Sequence, residues 1–140
     1  MQSFFLWPIR VYYEDTDAGG VVYHANYLKF MERARTEWLR SRGYEQDDLI
    51  NQQTVLFAVR SVTVEYHKPA RFNELLYAQV RLRQLRRASM IFEQFITRPL
   101  EPGGDDVLTR AVVKVASLDA VTFKPKPIPQ TLRQDLESAD

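Results

Sequence analysis

The fold is decided by one stretch, Tyr13-Glu14-Asp15-Thr16-Asp17-Ala18-Gly19-Gly20-Val21-Val22-Tyr23-His24-Ala25-Asn26-Tyr27. Three carboxylates, two glycines and a histidine are crowded into it. No other part of the chain is so dense in reactive groups. We therefore expect the chemistry of the protein here, and we expect the following helix and strands to hold this stretch in place.

The segments on either side of this stretch predict a strand followed by a helix. Residues 4–14 alternate between apolar and polar side chains with period two, which is typical of a half-buried strand. Gly19 and Gly20 permit backbone angles that other residues avoid, so the strand is expected to end before them. The helix is expected to begin at Asn26, a suitable N-cap, and to end by Gly43, a typical left-handed stop.

The predicted helix has a wide apolar face. Tyr27, Met31, Ala34 and Trp38 recur at helical spacing, and charged side chains line the opposite side. An apolar face of this width needs cover on more than one side. A curved sheet wrapped around the helix would supply that cover.

After a polar segment with a short helical turn at residues 45–53, the hydrophobic period changes to two. Four strands are expected, at residues 55–66, 76–83, 89–97 and 107–119, and turns link them. In the last strand, one face is expected to carry Val107, Thr109, Ala111, Val113 and Val115. This order of elements predicts an α+β fold with a mostly antiparallel sheet.

Nothing in the pattern divides the chain, so residues 1–140 are expected to form a single domain. Its tail should be extended from about Phe123, because each proline in Lys124-Pro125-Lys126-Pro127-Ile128-Pro129 disfavours helix at the residue before it. Residues 131–137 could then form a short terminal helix.

Composition excludes several classes of function. A net charge of +1 is not what a nucleic-acid-binding protein shows. The absence of cysteine excludes disulfides, a thiolate nucleophile and cysteine metal sites. The sequence contains neither a signal-peptide pattern nor an apolar run long enough to span a membrane. We expect a cytoplasmic protein, with peripheral association with the inner membrane as a variant of that location.

Asp17 is the first candidate for chemistry. It follows the predicted strand and precedes the Gly-Gly turn, so its carboxylate can face the start of the helix. Free amides at a helix N-terminus bind anions and could bind an oxyanion formed at an attacked carbonyl. The amides of Val22 to His24 are the candidates. The structural alternative is that Asp15 and Asp17 only cap the turn and the helix.

His24, one of two histidines in the chain, shares this loop with Asp17. An imidazole can donate to a carbonyl or orient a water, and the alternative is that it stabilises the helix entry. The loop has no serine or cysteine to complete a nucleophilic triad, and the histidines show no metal-ligand spacing. His67, beside Lys68-Pro69, is interpreted as a turn residue. A lone carboxylate with amide donors suits a thioester, because a thiol with a pKa near 8.5 leaves without a general acid.

The motif Tyr13-x-x-x-Asp17-x-x-Gly20-Val21-Val22-Tyr23-His24-x-x-Tyr27 closely resembles the signature of the hot-dog-fold acyl-CoA thioesterases of the 4-hydroxybenzoyl-CoA thioesterase superfamily. Within it, the sequence is most similar to the Tol–Pal system-associated acyl-CoA thioesterases of bacteria. The run Phe30-Met31-Glu32-Arg33-Ala34-Arg35-Thr36-Glu37 and the motif Tyr66-x-x-Pro69-Ala70 resemble later parts of the same family. The resemblance extends to about Val121.

The resemblance implies a five-stranded antiparallel sheet around one long helix, with active sites at a dimer interface. Asp17 matches the family's catalytic carboxylate, His24 a site histidine whose amide is the oxyanion donor, and Tyr13 a tyrosine associated with the site. Val22 and Tyr23 are expected beside the substrate. The segment Arg86-Arg87-Ala88-Ser89 is similar to the region that meets the coenzyme A nucleotide. Adjacent arginines suit phosphates, although a solvated hairpin end would look the same.

The expected activity is hydrolysis of acyl-CoA, with Asp17 either as nucleophile or as general base on water. No metal and no cofactor is expected, since coenzyme A enters as part of the substrate, and an acyl carrier protein is a further candidate partner. A homodimer or homotetramer is expected, because a five-stranded sheet leaves exposed edges. The alternatives are an enoyl-thioester hydratase on the same fold and a non-catalytic module that binds acyl carrier protein or an envelope complex.

Overall fold

The computed structural model describes residues 3–138, which form one antiparallel sheet and three helices. The strands are β1 (Phe5–Arg10), β2 (Val55–Tyr66), β3 (Leu75–Leu85), β4 (Ser89–Pro99) and β5 (Asp105–Asp119). The helices are α1 (Asn26–Ser41), α2 (Gln46–Gln53) and α3 (Gln130–Ser138), and a 3-10 turn spans Tyr13–Asp15. None of the helices in this part of the chain has the length and hydropathy needed to cross a bilayer.

The sheet has the strand order β1-β3-β4-β5-β2, and every neighbouring pair is antiparallel. β1 and β2 are therefore its two edges. This arrangement confirms the predicted α+β class and the five-stranded antiparallel sheet. The strands predicted after the helix are all present, and β2 has the predicted bounds.

Helix α1 lies on one face of the sheet and buries its predicted apolar stripe. Tyr27, Met31, Ala34 and Trp38 are all at most 3% exposed. The Trp38 ring meets the ring of Phe92 on β4 edge to face, with centroids 5.3 Å apart. Burial of each large apolar side chain contributes about 1.5–3 kcal/mol, so this stripe fixes the helix to the sheet.

A β-bulge changes the expected face pattern of β5. Ile96 pairs with Thr109 while Thr97 pairs with Val107, which leaves Leu108 as an extra residue. Leu108 is fully buried and Val107 is exposed, so the expectation that Val107 shares a face with Thr109 is wrong. A bulge inserts one residue and inverts the alternation beyond it.

The first strand is shorter than predicted, because β1 ends at Arg10 and not at residue 14. Beyond the strand, the Tyr12 amide donates to the Asp15 carboxylate (2.9 Å) instead of to a neighbouring strand. The chain then enters the 3-10 turn. A side-chain acceptor close in sequence therefore replaces the backbone hydrogen bonds that would have continued the strand.

Asp15 connects this turn to the start of α1. Its carboxylate is only 5% exposed, and it accepts from the Asn26 side-chain amide (3.0 Å) as well as from the Tyr12 backbone. The expectation that Asn26 is the N-cap is therefore wrong. Ala25 occupies the cap position in a helical conformation, and the Asn26 side chain is directed toward Asp15. Two segments eleven residues apart are held by one buried carboxylate.

The tail packs against the body of the domain. Pro125 forms an isolated bridge with Leu118 on β5, and the predicted terminal helix is present as α3. Ile128, Leu132 and Leu136 are all buried. The tail therefore extends the hydrophobic core.

We predict that Asp15→Asn destabilises the protein by about 1–3 kcal/mol, because the NH₂ that replaces one carboxylate oxygen cannot accept a hydrogen bond, which leaves one of the two donors to Asp15 unpaired. Urea unfolding would measure this as a lower midpoint with an unchanged slope. Glu14→Gln, at the exposed neighbouring position, is the control and should stay within about 0.5 kcal/mol of wild type. Equal unfolding midpoints for wild type and Asp15→Asn would contradict the role of this carboxylate.

We predict that Leu132→Ala lowers the free energy of unfolding by about 2–5 kcal/mol, because it opens a cavity between α3 and the core. Thr131→Ala, at an exposed position of the same helix, should change it by no more than about 0.5 kcal/mol. Thermal or urea unfolding followed by circular dichroism would compare them. Similar small losses in both variants would show that α3 adds little to the core.

Candidate functional site

Asp17 lies at the tip of a small hairpin. Thr16 pairs with Val22, and the Asp17 amide donates to the Val21 carbonyl (2.9 Å). The turn closes with the Gly20 amide on the Asp17 carbonyl (3.0 Å), and Gly20 has a φ of 78°, which favours glycine. The Asp17 side chain is thereby placed at the surface, in the first position of a tight turn.

The Asp17 carboxylate is oriented by its own turn. Its Oδ1 accepts from the Gly19 amide at 2.9 Å. A Cβ at position 19 would lie 3.2 Å from that oxygen, so glycine permits the close approach. The other oxygen has no hydrogen-bond partner within residues 3–138. The group is held in one orientation and keeps an oxygen available for chemistry.

The hairpin is attached to the turn between β2 and β3. The Val22 amide donates to the Ala70 carbonyl (2.8 Å), and Val21 pairs with Arg71. The Tyr13 ring stacks on Phe72 with centroids 3.9 Å apart and planes 7° apart. Tyr13, a predicted site residue, is thus placed beside the Asp17 hairpin with its ring largely exposed.

Ion pairs stabilise the turn between β2 and β3. Arg98 bonds both to Glu74 (3.0 Å) and to Asp106 (3.0 Å), and Lys68 also reaches Asp106 (2.7 Å). The Lys68 ammonium and the Arg98 guanidinium hold the pKa of the Asp106 carboxyl below its ordinary value. The charges form a network, which orders a backbone better than an isolated surface pair would.

The amides at the start of α1 differ in their availability. The Val22 amide is bonded to Ala70, and the Tyr23 amide donates to the Asp15 carbonyl (2.9 Å). Among the described residues, the amides of His24 and Ala25 have no acceptor. Of the three amides named from the sequence, His24 alone is free, and Ala25 adds a second donor that sequence reasoning missed. Free amides at the start of a helix are suited to bind an anion or a carbonyl oxygen that becomes negative.

The His24 ring lies in an aromatic cluster. Its centroid is 4.5 Å from that of Tyr23 and 6.2 Å from that of Tyr66, and the Tyr66 hydroxyl donates to the His24 carbonyl (2.8 Å). A cavity of about 260 Å³ opens beside it. It is lined by Val22, His24, Tyr27, Tyr66, His67, Lys68 and Pro69. His67, interpreted from the sequence as a turn residue, belongs to this lining.

Asp17 and His24 lie on the two arms of the same hairpin region. No hydrogen bond joins their side chains in the part of the chain that the structure describes. His24 is three residues beyond Val21, whose carbonyl accepts from the Asp17 amide. The carboxylate and the free amide therefore belong to one short connection between β1 and α1.

The segment Arg86-Arg87-Ala88-Ser89 lies at the other end of the sheet. Ser89 pairs with Ala116 on β5, whereas Tyr66, near the Asp17 hairpin, pairs with Thr109 on the same strand. Seven residues of strand correspond to about 24 Å. The carbonyls of this hairpin accept from α3 and the tail, through the Arg133 side chain (2.6 Å) and the Ile128 amide (2.9 Å). One chain alone does not bring these arginines to the Asp17 hairpin.

A groove of about 510 Å³ runs between α1 and the edge strand β2. It is lined by Leu28, Lys29, Glu32, Arg33, Arg35, Val59, Val62 and Val113. Arg35 donates to the buried Gln94 side chain (2.9 Å), and burial lowers the pKa of its guanidinium to about 10. No carboxylate in residues 3–138 lies within ion-pair distance of it. Sequence reasoning missed this groove because α1 and β2 meet only in the fold.

Metal binding has no evident site, since no group of three or more His, Asp or Glu side chains in the described chain could hold an ion. The site therefore consists of one oriented carboxylate, two free amides and an aromatic cavity.

Comparisons with known proteins find thioesterases similar to this chain in sequence and in fold. The Acyl-CoA thioester hydrolase YbgC of Escherichia coli O6:H1 is 44% identical over 130 residues, which are 93% of each chain. A probable thioesterase from Bartonella henselae has a TM-score of 0.82 and 35% identity, over 91% of this chain and 100% of that one. The 4-hydroxybenzoyl CoA thioesterase of Pseudomonas sp. strain CBS-3 has a TM-score of 0.84 and 15% identity, over 94% of this chain and 98% of that one, and shows the fold alone.

The family follows from the same comparisons. The hot-dog fold expected from the sequence is confirmed by these structural neighbours. The sequence profile of the Thioesterase-like superfamily matches residues 11–136, which include the Asp17 hairpin, α1 and the whole of β2 to β5. With that match and the identity to YbgC, the chain belongs to the Thioesterase-like superfamily.

Proposed function

We propose that this thioesterase hydrolyses acyl-CoA to a free acid and coenzyme A at the Asp17 hairpin. The observation that carries the proposal is the free His24 amide at the start of α1, on the same hairpin as the oriented Asp17 carboxylate. The thioester carbonyl lies between them, with its oxygen on the amide and its carbon toward the carboxylate. The identity to acyl-CoA thioester hydrolases over most of the chain supports this substrate class.

The amides and the carboxylate have separate roles in the proposed reaction. As the carbonyl is attacked, its oxygen becomes negative, and one preorganised donor in such a position is worth about 10²–10³ in rate. Asp17 attacks the carbon itself, or it takes a proton from a water that attacks the carbon. The tetrahedral intermediate then expels the thiolate, so no general acid is required. In the first route this leaves a mixed anhydride, which water hydrolyses to the free acid and the Asp17 carboxylate. Heavy-oxygen label recovered in the Asp17 carboxylate after a single turnover in labelled water would require the anhydride.

Three neighbouring side chains have supporting roles in this proposal. Val22 lines the cavity beside His24, and the half-exposed Tyr23 ring adjoins the His24 ring, so both contact the substrate near its carbonyl. Tyr13 steadies the Asp17 hairpin through its stack on Phe72. The reaction needs no cofactor, because coenzyme A is part of the substrate. An acyl carrier protein thioester presents the same reacting group.

We also propose that the active form is a dimer joined along β2. This edge strand exposes Val59 and Val62, and an apolar edge with unpaired backbone groups is a template for another strand. A second copy related by a two-fold axis would pair with β2 in antiparallel fashion and cover the groove over Arg35. A carboxylate of that copy would balance the Arg35 charge, and Glu32, one turn away on the same groove, is placed to do so reciprocally.

Pairing of this kind also gives the arginine hairpin a role. Antiparallel strands exchange ends, so the partner subunit's Arg86 and the partner subunit's Arg87 would come to the end of the joint sheet that holds the Asp17 hairpin. Adjacent guanidinium groups suit the phosphates of coenzyme A. Ser89 begins β4 beside them and can add a hydroxyl. The substrate would then span two chains, with its thioester on one and its nucleotide on the other.

We predict that Asp17→Asn lowers kcat by about a thousandfold, because the variant loses both the nucleophile and the base. Thiol release from acyl-CoA would be followed spectrophotometrically. The unfolding midpoint should hardly change, because Asp17 is exposed and the Asn oxygen can still accept from Gly19.

Glu14→Gln is the matched control, since it removes an exposed carboxylate three residues away and should keep full turnover. Near-normal thiol release by Asp17→Asn would reject the assignment. The same assay with enoyl thioesters, combined with product analysis, separates hydrolysis from hydration.

We predict that Val62→Lys converts the protein to a monomer at micromolar concentration, because a lysine in the centre of a strand-to-strand interface would be buried without a partner. Light scattering after size exclusion would measure the mass. Val107→Lys, at a similarly exposed valine of β5 beyond its pairing with β2, should leave the mass unchanged. A monomeric wild type would contradict the interface.

A further inference from the structure

We infer that Tyr66 is a positioning residue for this reaction: by holding the His24 carbonyl, its hydroxyl keeps the Ala25 amide, the second free donor at the start of α1, directed at the thioester. This inference rests on the proposed function. Tyr66 is the last residue of β2 and lies 42 residues from His24 in sequence. Its role is therefore one that only the folded chain displays.

The Tyr66 ring is fixed by two neighbours. Its centroid lies 5.6 Å from that of the buried Tyr27, at an angle of 61°, and 6.2 Å from that of His24, at 87°. Edge-to-face contacts of this kind are favourable ring arrangements. The phenol oxygen is thus held where it reaches the His24 carbonyl at 2.8 Å. The bond links the end of a sheet strand to the residue that precedes the helix cap.

The direction of each amide follows from the carbonyl of the same peptide. In a planar trans peptide, the C=O and N–H groups point in opposite directions. The Asn26 amide holds the Tyr23 carbonyl (2.8 Å), which sets the direction of the His24 N–H. Tyr66 holds the His24 carbonyl and thereby sets the direction of the Ala25 N–H. Both peptides that flank the His24 Cα are restrained, one from the helix and one from the sheet.

The same bond has an electrostatic effect. Donation from the Tyr66 hydroxyl polarises the peptide between His24 and Ala25, which makes the Ala25 N–H on its opposite side a stronger donor. Burial raises the pKa of the phenol, so the group keeps its proton, and with it the ability to donate, at neutral pH.

The test is Tyr66→Phe, which removes the hydroxyl and keeps the ring. We predict that kcat falls about tenfold while KM stays within about twofold, because the amides gain most of their interaction in the transition state. The matched control is Tyr44→Phe, which removes the hydroxyl bond between Tyr44 and Asp135. Tyr44 lies beyond the other end of α1, so this variant should keep the wild-type kcat.

A spectroscopic measurement separates positioning from loss of structure. A ketone analogue of acyl-CoA, with a methylene in place of the thioester sulfur, binds without reacting. Its carbonyl stretching band should move to lower frequency on wild type and move less on Tyr66→Phe, with the control matching wild type. Equal band positions on wild type and Tyr66→Phe would overturn the inference.

The kinetic outcomes also distinguish this inference from the function it rests on. A wild type that releases no thiol overturns the proposed function. An active wild type with unaltered kcat in Tyr66→Phe overturns the positioning role alone, and so does a rise in KM with kcat unchanged. An equal loss of kcat in Tyr44→Phe assigns the effect to general destabilisation and likewise overturns it.

Discussion

The arrangement of the site depends on one buried carboxylate, that of Asp15. One of its oxygens accepts from the Tyr12 backbone and the other from the Asn26 side chain, and its own carbonyl accepts from the Tyr23 amide. These bonds end the first strand, close the base of the Asp17 hairpin and set the entry angle of α1. Hydrogen bonds to a charged group contribute about 1.5–3 kcal/mol each, and a buried carboxylate without them would be strongly unfavourable. The hydrogen bonds to Asp15 therefore hold the turn in a single conformation.

The hairpin separates a structural carboxylate from the one that we propose to be reactive. Asp15 is buried and has both oxygens bonded, whereas Asp17, two residues later, is exposed and has one oxygen bonded to its own turn. Both are aspartates in the same connection between β1 and α1, so residue type alone does not distinguish them. Asp15 lies at the base of the hairpin and is buried, whereas Asp17 lies at its tip and is exposed. A fixed loop of this kind gives the Asp17 carboxylate a defined position without burying it.

Periodicity predicted most of the architecture, because the apolar stripe of α1 and the alternation of β2 to β5 are local patterns. It failed where a distant partner overrides a local preference. Asn26 is a good N-cap by type, yet the Asp15 carboxylate takes its side chain. The Leu108 bulge interrupts an alternation that looks regular in sequence. The motif predicted Asp17 and His24, but the free Ala25 amide and the Tyr66 bond depend on contacts between elements far apart in the chain.

The attachment of the Asp17 hairpin to the turn after β2 has a kinetic consequence. The Asp15–Asn26 bond joins residues close in sequence, so it can form as soon as α1 does. The Val22–Ala70 and Tyr66–His24 bonds instead close loops of more than forty residues, and long loops close late because their entropy must first be offset by other contacts. We therefore expect a refolding chain to regain its helix before the Asp17 hairpin is ordered. If the proposed site is correct, the return of activity during refolding then follows completion of the sheet and not formation of α1 alone.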